Sequence, residues 1–233
     1  MRIAAVVPAY NEEEAITDVV NGINAMALAN QLNIDVVVVN DCSKDNTYQI
    51  ASKLKCKVLN LPVNLGIGGA MQTGFKYAYQ EGYDAAIQVD GDGQHPAAEI
   101  PKIIEAHINN NWDVVVGSRF IDGEGFQSTT LRRQGIKYFM YLNKLLTGYL
   151  ITDSTSGFRL LNRKALEVVN EYYPDEYPEP EAIVLFSKRK IRMGEVSVQM
   201  LERQGGVSSI GAFSSVYYMI KVTLAMLFTR FRN

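Results

Sequence analysis

Asp90, Asp92 and Gln94 occupy alternate positions of Asp90-Gly91-Asp92-Gly93-Gln94-His95-Pro96, directly after the apolar run Ala85 to Val89. Alternate residues of an extended turn point the same way, so three hard oxygen donors face one side, the ligand type that suits Mg²⁺ or Mn²⁺. Gly91 and Gly93 leave the backbone free to take positive φ and let a bulky anionic ligand approach. His95 stands before Pro96, which disfavours the αR region for it, so the spacing predicts a helix opening at Pro96. Taken alone, an Asp-x-Asp turn is also an ordinary acidic surface turn, and the case for a metal has to come from what surrounds it.

Short strands and intervening helices must position this turn. Ile3 to Val7 and Ile34 to Val39 are too short for helices and too apolar for half-exposed strands, so they read as buried parallel strands. Between them Asn11 is expected to cap a helix running to about Asn30, with Glu12, Glu13 and Glu14 in its first turn. Asp45 is expected to cap a helix from Asn46 to Lys55, followed by a strand at Lys57 to Leu61 and a helix from Ala70 to Glu81 closed by Gly82. Further on come a helix over 96–110, a strand over 113–117, a Gly/Ser/Thr-rich loop over 121–130 and a long basic helix over 131–147. A strand over 158–161, a helix over 163–170, a helix from about Glu181 to Lys190 and a strand over 194–198 complete the order. Alternation of this kind demands an α/β fold with a mostly parallel central sheet and helices on both faces, whose ligands bind beyond the carboxyl ends of the strands. The polar clusters at Pro8 to Glu12, Asn40 to Asp45 and Asn64 to Gly69, with the acidic turn, all fall at that edge. The glycines from Gly66 to Gly69 offer either a phosphate cradle or close packing; they fit neither a dinucleotide motif nor a Walker loop.

The 233 residues carry 47% hydrophobic and 21% charged side chains and a net charge of −2, so one globular domain is expected and a nucleic-acid partner is not. Cys42 and Cys56 lie far apart, and with only His95 and His107 beside them neither a zinc site nor a disulfide framework is expected. No secretory signal is read at the N-terminus, and the expected location is cytoplasmic, with a peripheral place on the cytoplasmic face of a membrane as an option.

Val7-Pro8-Ala9-Tyr10-Asn11-Glu12, Asn40 to Thr47, Asn64-Leu65-Gly66, the acidic turn, Gly117-Ser118-Arg119, Thr155-Ser156-Gly157-Phe158-Arg159 and Arg203-x-x-Gly206-x-Ser208 together resemble the family 2 glycosyltransferases. The resemblance covers essentially the whole chain and is nearest to relatives of dolichyl-phosphate mannosyltransferase and polyprenyl-phosphate glycosyltransferases. It implies a GT-A nucleotide-diphospho-sugar transferase fold over 1–211, and an inverting, divalent-metal-dependent hexosyltransferase using a UDP- or GDP-linked sugar. It further implies donor contacts from Pro8, Tyr10, Glu12, Asp41, Gly66, Asp90 and Arg119, and a metal, Mg²⁺ or Mn²⁺, on Asp90, Asp92 and Gln94. Asp92, Arg203 and Glu181 are implied in catalysis, and Ser156, Arg159 and Ser208 in the acceptor loop. The acceptor is expected to be a polyprenyl phosphate, already ionised and needing no base; a saccharide hydroxyl is the alternative, and Glu179 or Glu181 would then take its proton. A non-catalytic nucleotide-sugar-binding scaffold is the reading from another class. Gly91 and Gly93 depart from the larger residues often found there, and no transmembrane helices like those of dolichyl-phosphate mannosyltransferase are seen.

The segment 212–233 differs in material: apolar on nearly every face, with Tyr217, Tyr218, Phe228 and Phe231 beside Lys221, Arg230 and Arg232. A helix of this length with a lysine inside suits a membrane surface, a small membrane-protein partner, the domain's own core or the interface of a homodimer.

Overall fold

Consecutive small and β-branched residues make strands whose two faces are both covered. β1 (Arg2–Ala9) and β2 (Asn33–Asn40) pair in parallel, Ala5 opposite Val36 and Val7 opposite Val38. β3 (Lys57–Asn60) adds to β2, β4 (Ala85–Gln88) to the other side of β1, and β5 (Val114–Ser118) pairs with β7 (Met193–Ser197), all in parallel. β6 (Arg159–Asn162) lies antiparallel between β4 and β5, which gives the order β3-β2-β1-β4-β6-β5-β7. The structure is a computed structural model that describes residues 1–122, 130–175, 178–201 and 212–232.

Strand alternation sends Ile3, Ala5 and Val7 to a core shared with α1 (Ile16–Ala29), α2 (Thr47–Ala51) and α4 (Ile100–Asn110), and Ala4 and Val6 to one shared with α3 (Gly66–Gln80), α6 (Arg163–Glu171) and α7 (Pro178–Lys188). The expected mostly parallel sheet with helices on both faces is therefore present. On α1, Ile16, Val20 and Ile23 return at helical spacing and are fully buried; trimming Ile23 to alanine would cost about 2–5 kcal/mol. A third, smaller cluster joins α5 (Thr130–Thr147), α7 and α8 (Ala212–Phe231) through Phe139, Val184, Val222 and Met226.

Several boundaries differ from the sequence expectation for local physical reasons. Asn11 does not cap α1: it takes φ 56°, accepts a bond from the Lys44 N–H at 2.8 Å, and the helix starts only at Ile16. α3 starts at Gly66, a turn earlier than Ala70, because the Asp41 carboxylate receives the Leu65 and Gly66 N–H groups from across the rim. α2 ends at Ala51 instead of Lys55, and α7 opens at Pro178 instead of Glu181. Pro96 is followed by a 3₁₀ turn at Ala97–Glu99 before α4 begins. The expected loop over 121–130 lies largely outside the described residues.

Candidate active site at the carboxyl edge of the sheet

β4 delivers its chain to the acidic turn, and Gly91 sets where that turn sits. A Cβ at Gly91 would stand 2.7 Å from the Pro8 carbonyl oxygen, so only glycine lets the turn lie against the end of β1. Asp92 is buried and its Oδ1 accepts the Gln94 N–H at 3.0 Å; Asp90 is part exposed and its Oδ1 accepts from Gln88 Nε2 at 3.0 Å. His95 locks the turn from beneath. Its Nδ1 accepts the Asp90 N–H at 3.0 Å, which leaves the proton on Nε2, 3.6 Å from Asp90 Oδ2, and its ring stacks on Phe158 at 4.6 Å. That geometry commits His95 to holding Asp90. Among the described residues no three His, Cys, Asp or Glu side chains form a metal cage. Two carboxylates and an amide oxygen nevertheless fit a hard divalent ion whose remaining positions go to a diphosphate and water.

The loops after β1 and β2 are zipped to each other. Asn11 N–H donates to Ser43 Oγ, Glu12 N–H to Thr47 Oγ1 at 2.8 Å, and Glu13 Oε2 accepts both Asn46 nitrogens. Pro8 lies at the end of β1 and Tyr10 is exposed beyond it, so these two, with Glu12, line the same edge as Asp90. Asp41 is buried, and its two oxygens take the Leu65 and Gly66 N–H groups at 2.7 and 2.9 Å. Burial pushes its carboxyl up, and those two bonds pull it back only in part. Asp41 thus anchors the start of α3 at the edge where the donor contact is expected. Gly68 is a packing glycine, since a Cβ there would collide with the backbone of Pro174 and Asp175.

On the other side of the turn stands a wall built on two arginines, one half-buried and one fully buried. Arg119, just past β5, forks onto Asp153 with Nε to Oδ2 at 2.7 Å and Nη2 to Oδ1 at 2.8 Å. Burial opposes the charge on Arg119, but the bonds and charge of Asp153, with the further charge of Asp90, carry its pKa above the ordinary value. Thr152 and Asp153 in turn give their N–H groups to Glu195 on β7. Arg159 is fully buried and spends its guanidinium on three carbonyls, Ser156 at 2.6 Å and Ser154 and Glu179 at 2.8 Å each. Burial lowers its pKa. Ser156 is also buried, its Oγ receiving the Phe158 N–H. Ser156 and Arg159, expected in the acceptor loop, spend these bonds on building the 153–158 loop, and Gly157 lets it close on Gln88 and Asp90.

Glu181, implied in catalysis, is tied to α8. Its Oε1 accepts from Thr229 Oγ1 on α8 at 2.6 Å and from the Tyr172 hydroxyl at 3.4 Å, so it pins α8 to α7. Glu179, two residues earlier on α7, gives its backbone carbonyl to Arg159 and feels the charge of Asp90. Burial raises its pKa against the pull of Arg159, and the charge of Asp90 adds to the rise. Arg203 and Ser208 lie outside the described residues. Sequence reasoning did not single out Gln88, His95, Asp153 or Glu195 as site residues, because all four act through another side chain or a loop and carry no spacing of their own.

The sheet order β3-β2-β1-β4-β6-β5-β7 thus carries a carboxylate turn after its central strand β4 and two zipped loops beside it. The family model described as "Glycosyl transferase family 2" matches residues 4–169. The chain belongs to that family and is a glycosyltransferase. It is 36% identical over 219 residues to the UDP-N-acetylglucosamine–dolichyl-phosphate N-acetylglucosaminyltransferase of Methanococcus voltae, covering 85% of each chain. It is also 33% identical to the dolichol-phosphate mannosyltransferase of Pyrococcus furiosus, over 72% of this chain and 48% of that one. Among solved structures, glucosyl-3-phosphoglycerate synthase from Mycobacterium tuberculosis, in complex with Mn²⁺, UDP and phosphoglyceric acid, shares the GT-A fold at a TM-score of 0.71. That match has 18% identity and covers 98% of this chain and 78% of the other. Among the described residues no helix is long and apolar enough to cross a membrane.

Proposed function

We propose that the enzyme moves a sugar from a UDP- or GDP-linked donor to a polyprenyl phosphate of the dolichyl type, with inversion at the anomeric carbon and a divalent ion on the diphosphate. The observation that carries this reading is the juxtaposition at the carboxyl edge: the carboxylates Asp90 and Asp92 on one side, and the Arg119–Asp153 wall, close enough for Asp90 to raise the Arg119 pKa, on the other. The relatives from Methanococcus voltae and Pyrococcus furiosus, a dolichyl-phosphate N-acetylglucosaminyltransferase and a dolichol-phosphate mannosyltransferase, support the same reading.

Asp90, Asp92 and Gln94 would hold Mg²⁺ or Mn²⁺, whose charge stabilises the nucleoside diphosphate as it leaves. The chain's own residues do the positioning. Gln88 and His95 fix Asp90, the Gln94 N–H fixes Asp92, and the zipped loops with Pro8, Tyr10 and Glu12 offer an edge for base and ribose. A lipid phosphate arrives ionised, so no group need remove a proton from it. A saccharide hydroxyl is the second reading, and one observation favours it: Glu179, its pKa raised by burial, stands by Asp90 where a base would be wanted.

Thermal melting with UDP- and GDP-sugars, with and without Mn²⁺, would identify the donor, since a ligand bound only by the native fold raises the melting point. Transfer from that donor to a short-chain polyprenyl phosphate is the decisive assay. Robust transfer to a saccharide hydroxyl with none to the lipid phosphate would replace the first reading by the second.

A further inference from the structure

We infer that α5 and α8 together form a face that docks on an anionic lipid bilayer; the inference rests on the lipid-linked acceptor proposed above. On α8, Val222 and Met226 are buried against Phe139 and Val184, while Tyr217, Ile220, Leu224, Phe228 and Phe231 are exposed. At about 3.6 residues per turn these five fall on one stripe opposite the buried pair. α5 does the same beside it. Phe139 faces inward, whereas Tyr138, Tyr141 and Leu145 are exposed, Leu145 at 82%. The two helices are joined edge to edge: the Tyr138 hydroxyl lies 3.0 Å from Thr223 Oγ1, and Phe139 meets Tyr218 edge-on at 5.5 Å. Tyr138 and Leu145 thus lie on the flank of α5 that adjoins α8, with Tyr141 next to them. Two apolar stripes lie side by side on one side of the molecule, which is more exposed apolar surface than scattered single residues account for.

Charge selects the occupant. The chain as a whole has 25 acidic and 23 basic residues, yet neither α5 nor α8 contains one Asp or Glu. The basic residues border the apolar stripes: Arg133, Lys137 and Lys144 share the flank of α5 away from Tyr138, and Lys221 lies over Tyr217 at 5.5 Å. Apolar and aromatic side chains bordered by cations alone match the boundary between acyl chains and anionic headgroups, where aromatic rings and lysine stems sit at the interface. Neither helix can cross the bilayer, so both lie along it. Glu181 ties this face to the site, because it bonds Thr229 of α8 from the same short helix that carries Glu179.

Flotation of the full chain on vesicles of phosphatidylcholine alone, or containing phosphatidylglycerol, tests the assignment. Binding is expected to the anionic vesicles and on the order of tenfold less to neutral ones. Leu224→Glu on α8 and Leu145→Glu on α5, both at exposed positions, should each lower vesicle binding on the order of tenfold while melting with the wild type. Failure of the full chain to float on anionic vesicles would overturn the inference, as would loss of binding with the α8 variant alone. A concentration-dependent dimer in sedimentation, abolished by Leu224→Glu and without vesicle binding, would give the face to a second copy instead. Transfer to a water-soluble short-chain polyprenyl phosphate, measured with the same variants, is expected to be unchanged. That assay keeps failure of the docking face distinct from failure of the acceptor assignment.

Discussion

At the end of the sheet where β5 begins, Asp113 is buried and fully served: it accepts from the Arg192 N–H, from Asn162 Nδ2 and from Lys164 Nζ. Burial works to raise its pKa, but those bonds win and hold it below the ordinary value. At the opposite end, where β1, β2 and β4 finish, stand buried Asp41 and half-buried Glu179, and there loss of solvent wins and drives both up. The exception on that edge is Asp45, whose bonds from Thr47 and Glu13 outweigh burial and lower it, as befits a side chain that starts a helix. One edge of the sheet is thus electrostatically relaxed, while the other holds carboxyl groups in conflict with their surroundings. Such conflict costs stability and is expected where a bound cation will later complete the charge balance.

If that contrast is right, the wall held by Arg159 should be the costliest place to disturb. Arg159→Met keeps the bulk but strands three buried carbonyls, and should remove about 3 kcal/mol or more of stability, roughly 6–12 °C in Tm. A variant that melts with the wild type would mean the wall is held by something other than Arg159. Asp92→Asn should leave Tm unchanged and lower turnover by about 10²–10³-fold, with chelator having no further effect on the variant. Wild-type turnover by that variant, insensitive to chelator, would remove the metal from the site. Arg119→Lys loses the fork onto Asp153, because an ammonium cannot span both oxygens. Roughly tenfold lower kcat/KM for the donor is expected, with weaker donor-induced thermal stabilisation, in line with the donor contact the sequence resemblance implies. Undiminished donor stabilisation and turnover would mean that the fork onto Asp153 plays no part in holding the donor.

The parts of the molecule that speak through local pattern were legible in the sequence. Buried runs such as Val36 to Val39 have no polar alternation, and the acidic turn follows its strand directly, so the alternating order and the position of Asp90 and Asp92 could be read. What could not be read depends on contacts far apart in the chain. Asn11 looks like a helix cap until Lys44 and Ser43 are seen to engage it, 33 and 32 residues away. The antiparallel setting of β6 leaves no mark on Arg159 to Asn162, because a buried strand is apolar in either direction. Glu179 and Glu181 are two residues apart at the start of α7, and only packing against α8 shows that Glu181 is the one engaged there. The apolar content of α8 was plain, but that it is half buried and half exposed follows from Phe139 and Val184, which lie 83 and 38 residues before Val222.

The smallest expected effect is the sharpest test of the two-edge comparison, because it predicts opposite signs. Glu179 has a raised folded pKa, so its ionisation opposes folding: the group is neutral to stability below the unfolded value and increasingly unfavourable as pH climbs through the folded one. Glu179→Gln removes that penalty and should raise Tm at pH 8 while leaving it unchanged near pH 4. Asp113 has a lowered folded pKa, so its contribution is fully present above the unfolded value and fades as pH falls through the folded one. Asp113→Asn should therefore cost about 1–3 kcal/mol at pH 7 and progressively less in acid. Two Tm-against-pH curves, each variant minus wild type, would have to bend in opposite directions. Parallel curves would mean that the two edges are electrostatically alike, and that the strain assigned to the catalytic edge is not there.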